Sequence, residues 1–88
     1  MLQIVVSATE WTQLTTADTV SFQVTRLEGA GAKVLVKAAS TKPNATDAVG
    51  FQYCAGQGEL GKPRAAFGAG TALWARTDRG VAGVTVVS

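Results

Sequence analysis

The chain lacks the side chains on which most catalytic and metal sites depend. Its 88 residues contain no His, one Cys and six carboxylates, which are scattered along the sequence. Without His there is no general base for Cys54, which is therefore expected to be a small buried apolar residue. A single Cys cannot form a disulfide within the chain, and one Cys without His argues against a structural zinc site. We therefore expect no catalytic residues, no cofactor and no metal, in a protein that is not an enzyme.

Charge is also scarce. Charged residues make up 16% of the chain, whereas about 25% is typical of a soluble domain. The formal net charge is +2 and the basic residues form no run, so nucleic acid is not an expected partner. No apolar segment approaches the ~20 residues of a membrane span, and the N-terminus lacks the basic region of a signal peptide. A charge-poor surface on so small a domain indicates that other protein covers part of it.

What the chain has instead is alternation of apolar and polar residues with a period of two, which is typical of half-buried strands. Residues 20–25 and 33–38 alternate in this way on either side of the glycine-rich residues 28–31. Because glycine tolerates the positive φ of tight turns, this pattern predicts an antiparallel hairpin. Residues 72–77 and 81–87, joined by a short Asp-Arg-Gly turn, predict a second hairpin at the end of the chain.

The remaining strand signals complete a small all-β domain. Residues 2–6 predict an opening strand, and the alternation around Phe51 predicts a further one. Residues 9–14 suit either a short helix or a strand. The sequence therefore predicts one β domain spanning residues 1–88, an antiparallel β-sandwich or small barrel of about six to eight short strands.

Two stretches have the composition of loops. Residues 40–47 are polar, and residues 55–70 contain five glycines and a proline, which favours an irregular connection with a short strand at 64–67. Residues 56–61 match the pattern G-x-G-x-x-G. In dinucleotide-binding proteins this pattern lies between a strand and a helix, where it brings backbone amides to a pyrophosphate. No helical period follows it here, so a loop is the better interpretation.

Four residues are candidates for a protein interface: Trp11, Trp74, Arg76 and Arg79. Trp and Arg are enriched at the centres of protein interfaces. Trp74 follows Leu73 on a predicted strand, so one of these two side chains should point away from the core. The alternative is that both sheet faces are covered within the chain, which would make Trp74 an ordinary core residue. The sequence leaves both interpretations open.

The chain also resembles small β-rich virion proteins of tailed bacteriophages. Three segments carry the resemblance: Trp11-Thr12, Phe22-Gln23-Val24, and Leu73-Trp74-Ala75-Arg76 followed by Val84-Thr85-Val86. That family includes capsid cement (decoration) proteins and fibre or spike subunits, which are often trimeric. The resemblance implies a non-enzymatic protein on the capsid surface of the virion, made in the host cytoplasm. It also implies a homo-oligomer, with a trimer favoured, that binds the major capsid protein or another virion protein.

Two other functions stay open. A phage fibre, spike or other carbohydrate- or receptor-binding module would use Trp74 or Tyr53 as a stacking platform. A nucleic-acid-binding barrel would combine Arg64, Arg76 and Arg79 with aromatic side chains, and its affinity would fall steeply with salt. The small net charge counts against nucleic acid.

Overall fold

The computed structural model describes residues 2–29 and 31–87 of the chain. Ala30, which belongs to the predicted turn at 28–31, lies outside the described residues. The elements, in chain order, are β1 (Leu2–Ser7), β2 (Thr12–Thr15), β3 (Thr19–Glu28), β4 (Val34–Ala39), β5 (Phe51–Tyr53), β6 (Gly58–Pro63), the 3₁₀ helix η1 (Arg64–Phe67), β7 (Ala72–Thr77) and β8 (Val81–Val86).

The strands form two four-stranded antiparallel sheets. The first sheet has the order β1-β8-β3-β6, and the second has the order β2-β7-β4-β5. The predicted all-β sandwich is confirmed, and the ambiguous segment at 9–14 contributes a strand, β2, rather than a helix. Two details of the expected connection at 55–70 are wrong: it contains the six-residue strand β6, and residues 64–67 form a 3₁₀ helix instead of a strand.

The pairing follows one simple rule. The chain folds back on itself as a single antiparallel ribbon, so that β1 pairs with β8, β2 with β7, β3 with β6 and β4 with β5. The ribbon then wraps, which brings β8 beside β3 and β7 beside β4. This strand order is that of a jelly roll, an eight-stranded sandwich built from two Greek keys.

Both predicted hairpins are wrong, although most of their strand residues were placed correctly. The strands β3 and β4 lie in different sheets, and so do β7 and β8. Their short connections therefore cross from one sheet to the other. The two connections lie side by side: the Lys33 amide donates to the Asp78 carboxylate at 2.8 Å, and the Asp78 amide donates to the Lys33 carbonyl at 3.0 Å. The glycine-containing segments after β3 and after β7 are turns, as predicted, but each turn connects one sheet to the other.

The core lies between the two sheets and is built from the alternating apolar residues of both. Phe22 is central to it, because its ring packs edge-on against Tyr53, with 5.1 Å between centroids, and lies tilted against Phe67, with 6.1 Å between centroids. At the β3–β6 crossing the backbones approach so closely that a Cβ on Gly58 would lie 2.0 Å from the Phe22 carbonyl oxygen. Only glycine fits there. The core residues are Val6, Leu14, Val20, Phe22, Val24, Val34, Val36, Ala38, Tyr53, Phe67, Leu73, Ala75, Ala82, Val84 and Val86.

Candidate interaction surface

The outer face of the first sheet is almost free of charge. On each strand the residues that alternate with the core positions point outward, and most of them carry hydroxyl, amide or aliphatic groups. In the described part of the chain, the charged side chains on this face are those of Arg26 and Glu28, which pair with each other at 3.1 Å. We call this surface the neutral face. Its residues are Gln3, Val5, Ser7, Ser21, Gln23, Thr25, Arg26, Glu28, Leu60, Val81, Gly83, Thr85 and Val87.

The polar groups of the neutral face bond to one another across the strands. Gln3 and Gln23 flank Thr85 in register, one on each side. The Gln3 amide donates to the Thr25 hydroxyl at 3.5 Å, and that hydroxyl donates to the Gly83 carbonyl at 3.2 Å. Covering neutral groups that already have partners costs far less free energy than covering charges, since an unpaired buried charge carries a desolvation penalty of several kcal/mol.

An open groove runs along one side of the neutral face. Its volume is about 560 Å³, and it lies between β8, β3, β6 and the turn that precedes β6. Two exposed apolar side chains line it, Leu60 at 89% and Val87 at 56% exposure. Besides Phe22 and two glycines, the remaining lining side chains are polar, and the one ionisable group among them is Glu59. The lining residues are Ser21, Phe22, Gln23, Thr25, Gly56, Gly58, Glu59, Leu60, Thr85 and Val87.

The second sheet presents a different outer face, because the chain covers it with its own β4–β5 loop, residues 40–50. The outward-facing Leu35 of β4 is only 4% exposed. Asp47 in the loop forms an ion pair with Lys37 of β4, and its backbone carbonyl accepts a hydrogen bond from the Trp11 indole at 2.9 Å. The hydrogen bond from Lys37 and the backbone amide of Val49 lower the pKa of Asp47 from its ordinary value. The loop is thus fixed to the sheet by polar contacts.

Two of the four predicted interface residues belong to this covered face. Trp11 is 1% exposed and Arg76 is 7% exposed, with the guanidinium carbon 5.9 Å from the indole centroid. Arg76 donates to the carbonyls of Ala8, Ala45 and Asp47. For these two residues the structure argues against the interface prediction: their hydrogen bonds go to the 40–50 loop and, for Arg76, also to Ala8, and burial keeps both side chains from a partner.

The other two predicted interface residues are at the surface but lie apart. Trp74 points outward from β7 while Leu73 is fully buried in the core, as the alternation required. Trp74 is half-buried, and its indole donates to the Ala39 carbonyl at 3.1 Å. Arg79 lies in the exposed β7–β8 connection, 3.9 Å from the Asp78 carboxylate. The structure therefore does not bring the four residues together into one patch.

Two residues that the alternative functions would use, Arg64 and Tyr53, form hydrogen bonds within the chain. The Arg64 guanidinium donates to the carbonyls of Thr16, Ala17 and Gly70 at 2.9–3.0 Å and anchors η1. Tyr53 is a core residue whose hydroxyl donates to Glu59 at 2.9 Å, and burial together with that bond raises its pKa above the usual value. A buried tyrosine offers no platform for a sugar ring.

Two further expectations are corrected. Cys54 is exposed rather than buried, because it follows the end of β5, where the chain turns at the surface. The G-x-G-x-x-G segment at 56–61 is only partly a loop, since residues 58–61 belong to β6. Within the described residues, no three His, Cys, Asp or Glu side chains come together as a metal site. The described residues also include no helix long and apolar enough to cross a membrane.

Comparisons of the chain with protein-family models, with curated proteins and with solved structures find no match. The neutral face was not predicted as a site, although its composition is visible in the sequence. Apart from the Arg26–Glu28 pair, the outward-facing positions of β1, β3 and β8 are uncharged, but only the topology shows that these three strands are neighbours.

Proposed function

We propose that this chain is a non-enzymatic structural protein of a tailed-phage virion, a capsid decoration protein that binds the major capsid protein through the neutral face. It is made in the host cytoplasm and acts on the capsid surface as a homo-oligomer. The resemblance in the sequence supplies the class of protein. The neutral face supplies a surface suited to docking.

The observation that carries the proposal is the contrast between the two outer faces. The chain covers the outer face of the second sheet with residues 40–50 and fixes that cover with Trp11, Arg76 and Lys37. The outer face of the first sheet has no such cover among the described residues, and its two charges neutralise each other. A sheet face that is both open and neutral fits a surface that another protein covers.

The architecture is compatible with this role. Jelly rolls occur in viral capsid proteins and in lectins, so the fold permits the proposal without deciding it. An 88-residue domain with one small core also gains stability when a partner binds its folded state, by mass action.

The test uses a matched pair of substitutions at exposed apolar residues. Leu60→Glu places a charge on the neutral face, whereas Val49→Glu places the same charge in the 40–50 loop; the two positions are 89% and 74% exposed. Heads of the phage whose genome encodes the chain, prepared without it, are sedimented with each purified variant. We expect Leu60→Glu to weaken binding at least tenfold, about 1.4 kcal/mol, and Val49→Glu to bind like the wild type.

Equal binding by both variants would remove the neutral face from the proposal. Absence of the chain from purified particles, measured by mass spectrometry, would overturn the virion role itself.

A second candidate function is carbohydrate binding in the groove. The hydroxyls of Ser21, Thr25 and Thr85 and the amide of Gln23 line it together with apolar Leu60 and Val87, a mixture suited to a neutral sugar. Because Trp74 lies on the opposite sheet, Trp fluorescence would not report binding there. Calorimetric titration with neutral oligosaccharides should give affinity that Gln23→Ala abolishes and that Gln13→Ala, on the second sheet, leaves unchanged.

A further inference from the structure

The four edge strands of the sandwich differ in how well they are protected against pairing with another strand. β6 contains Gly58, Gly61, Lys62 and Pro63 and is bulged against β3. β2 has four residues and a shift in register, and β5 has only three residues. Charged residues, proline, bulges and short length are the devices by which proteins prevent edge-to-edge association. Three of the four edges carry at least one of them.

The fourth edge, β1, has none of these features. Its six residues, Leu-Gln-Ile-Val-Val-Ser, contain no charge, no proline and no glycine. It pairs with β8 in unbroken register from Leu2 to Ser7. Its other side meets no strand among the described residues, so about half of its backbone amides and carbonyls point outward without a strand partner. Leu2 and Val5 are 58% and 62% exposed.

We propose that a second copy of this chain pairs with this edge, β1 against β1, in an antiparallel arrangement. A strand with no charge meets no like-charge repulsion when it lies beside its own copy. A twofold contact of this kind is isologous and closes after two copies, so an open edge does not lead to a growing fibre. The two first sheets become one eight-stranded sheet, and the two neutral faces become one continuous surface.

The alternation of side chains restricts the register of the pair. Ile4 and Val6 face the core, while Gln3, Val5 and Ser7 face outward. Opposite residues of an antiparallel pair share a sheet face, so inward residues must meet inward residues. A twofold axis must then pass between a residue and its own copy, and the largest overlap of the two Leu2–Ser7 strands places it between the two Ile4 residues or between the two Val5 residues. In both registers the Val5 side chains of the two copies are direct or diagonal neighbours.

This inference deepens the proposed function by naming the contact that assembles the docking surface. Its test requires only the purified chain, so it fails independently of any capsid. It also departs from the trimer implied by the family resemblance, because antiparallel pairing of one edge with itself produces two copies and not three.

The test compares Val5→Lys with Val49→Lys, both in a Cys54→Ser background so that the exposed thiol cannot link the copies. Val5→Lys adds to β1 the charge that protected edges carry and places two like charges near the axis. Molar mass by light scattering, measured over a range of concentrations, should show a dimer for the background protein and for Val49→Lys. For Val5→Lys the dissociation constant should rise at least tenfold, with an unchanged circular-dichroism spectrum.

Hydrogen exchange tells strand pairing from contact through the sheet face. Alternate amides of β1 should become protected as the concentration rises, while amides at the β6 edge should not. A background protein that stays monomeric at millimolar concentration, or forms a trimer, overturns the proposal. So does a dimer in which Val5→Lys has no effect and the β1 amides gain no protection.

Discussion

Replacing Arg76 with Ala tests whether this buried guanidinium holds the 40–50 loop over the second sheet. Its Nη1 donates to the carbonyls of Ala45 and Asp47, the latter at 3.2 Å, and its Nη2 donates to the carbonyl of Ala8. The substitution removes these three hydrogen bonds, although the Asp47 carbonyl keeps the bond from the Trp11 indole. It also removes the cation beside the Trp11 indole. We expect the loop to detach from the sheet and Trp11 to become exposed.

The expected loss of stability follows from these contacts. A hydrogen bond to a charged group is worth about 1.5–3 kcal/mol, and the two bonds to the Ala8 and Ala45 carbonyls therefore amount to roughly 3–6 kcal/mol. Two effects reduce this figure: water reaches the freed carbonyls once the loop opens, and the unfavourable burial of the guanidinium itself is relieved. The net loss should be about 2–3 kcal/mol. With a denaturant slope near 1 kcal/mol per molar urea for a small domain, the midpoint should fall by about 2–3 M.

The assay is urea unfolding, followed by circular dichroism and by Trp emission. A Trp74→Phe background leaves Trp11 as the single emitter, so a red shift of the Arg76→Ala variant before unfolding reports the opened loop. Arg26→Ala is the control, because that side chain is 60% exposed and forms a surface ion pair with Glu28; it should cost under about 1 kcal/mol. If Arg76→Ala and Arg26→Ala unfold at the same midpoint, Arg76 does not fix the loop.

Two further predictions concern the corner between the sheets and the acid sensitivity of the loop. Gly80→Ala should lower the thermal unfolding midpoint more than Gly61→Ala does. Both glycines have a positive φ, 71° at Gly80 and 64° at Gly61. A Cβ on Gly80 would lie 2.0 Å from the Glu28 carbonyl oxygen, whereas a Cβ on Gly61 would meet nothing within 4 Å. Equal losses of stability in the two variants would mean that the positive φ alone, and not the contact with Glu28, determines the effect of each substitution. Because folding lowers the pKa of Asp47, its contribution to stability is complete above the ordinary value of 3.8 and is lost as pH falls through the lowered value. Asp47→Asn should therefore be less stable than the wild type at pH 6 and should approach it near pH 2; a difference that is constant with pH would contradict this.

The strands were predictable because alternation is a local property, whereas their pairing was not. In this jelly roll β4 and β5 are the one pair of consecutive strands that are hydrogen-bonded neighbours. The eleven residues 40–50 separate β4 from β5, and the polar composition of this loop does not predict a hairpin. The short glycine-containing connections after β3 and β7 gave strong hairpin signals. A tight turn between two sheets needs the same residues as a tight turn within one, so composition cannot tell the two apart.

The glycines at these connections have a reason that only the fold shows. Gly80 lies against the backbone of Glu28, and the space beside Gly29 is closed by Arg79. The two corners are thus packed on each other, far apart in sequence but adjacent in space. A local reading assigns each glycine to its own turn. In the structure each also makes room for the other connection.

The candidate site shows the same limit for side chains. Trp11 and Arg76 were selected because their residue types bind proteins well, and they do bind protein: the 40–50 loop of their own chain. Residue type predicts that a Trp or Arg side chain makes a large contact with several hydrogen bonds. It does not predict whether that contact is within the chain or with a partner. The low content of charged residues is informative in a different way, because it is a property of the whole surface. The topology then shows that the uncharged surface lies on the outer face of the first sheet.

That location follows from how the ribbon closes. The loop joining β4 and β5 is the end of the ribbon, and it folds over the sheet that contains both strands. The first sheet contains β1 and β8, and among the described residues no connecting loop folds over its outer face. A neutral outer face on that sheet is therefore consistent with cover from outside the domain. The unprotected edge lies on the same sheet, so the proposed docking face and the proposed pairing edge both belong to one half of the sandwich.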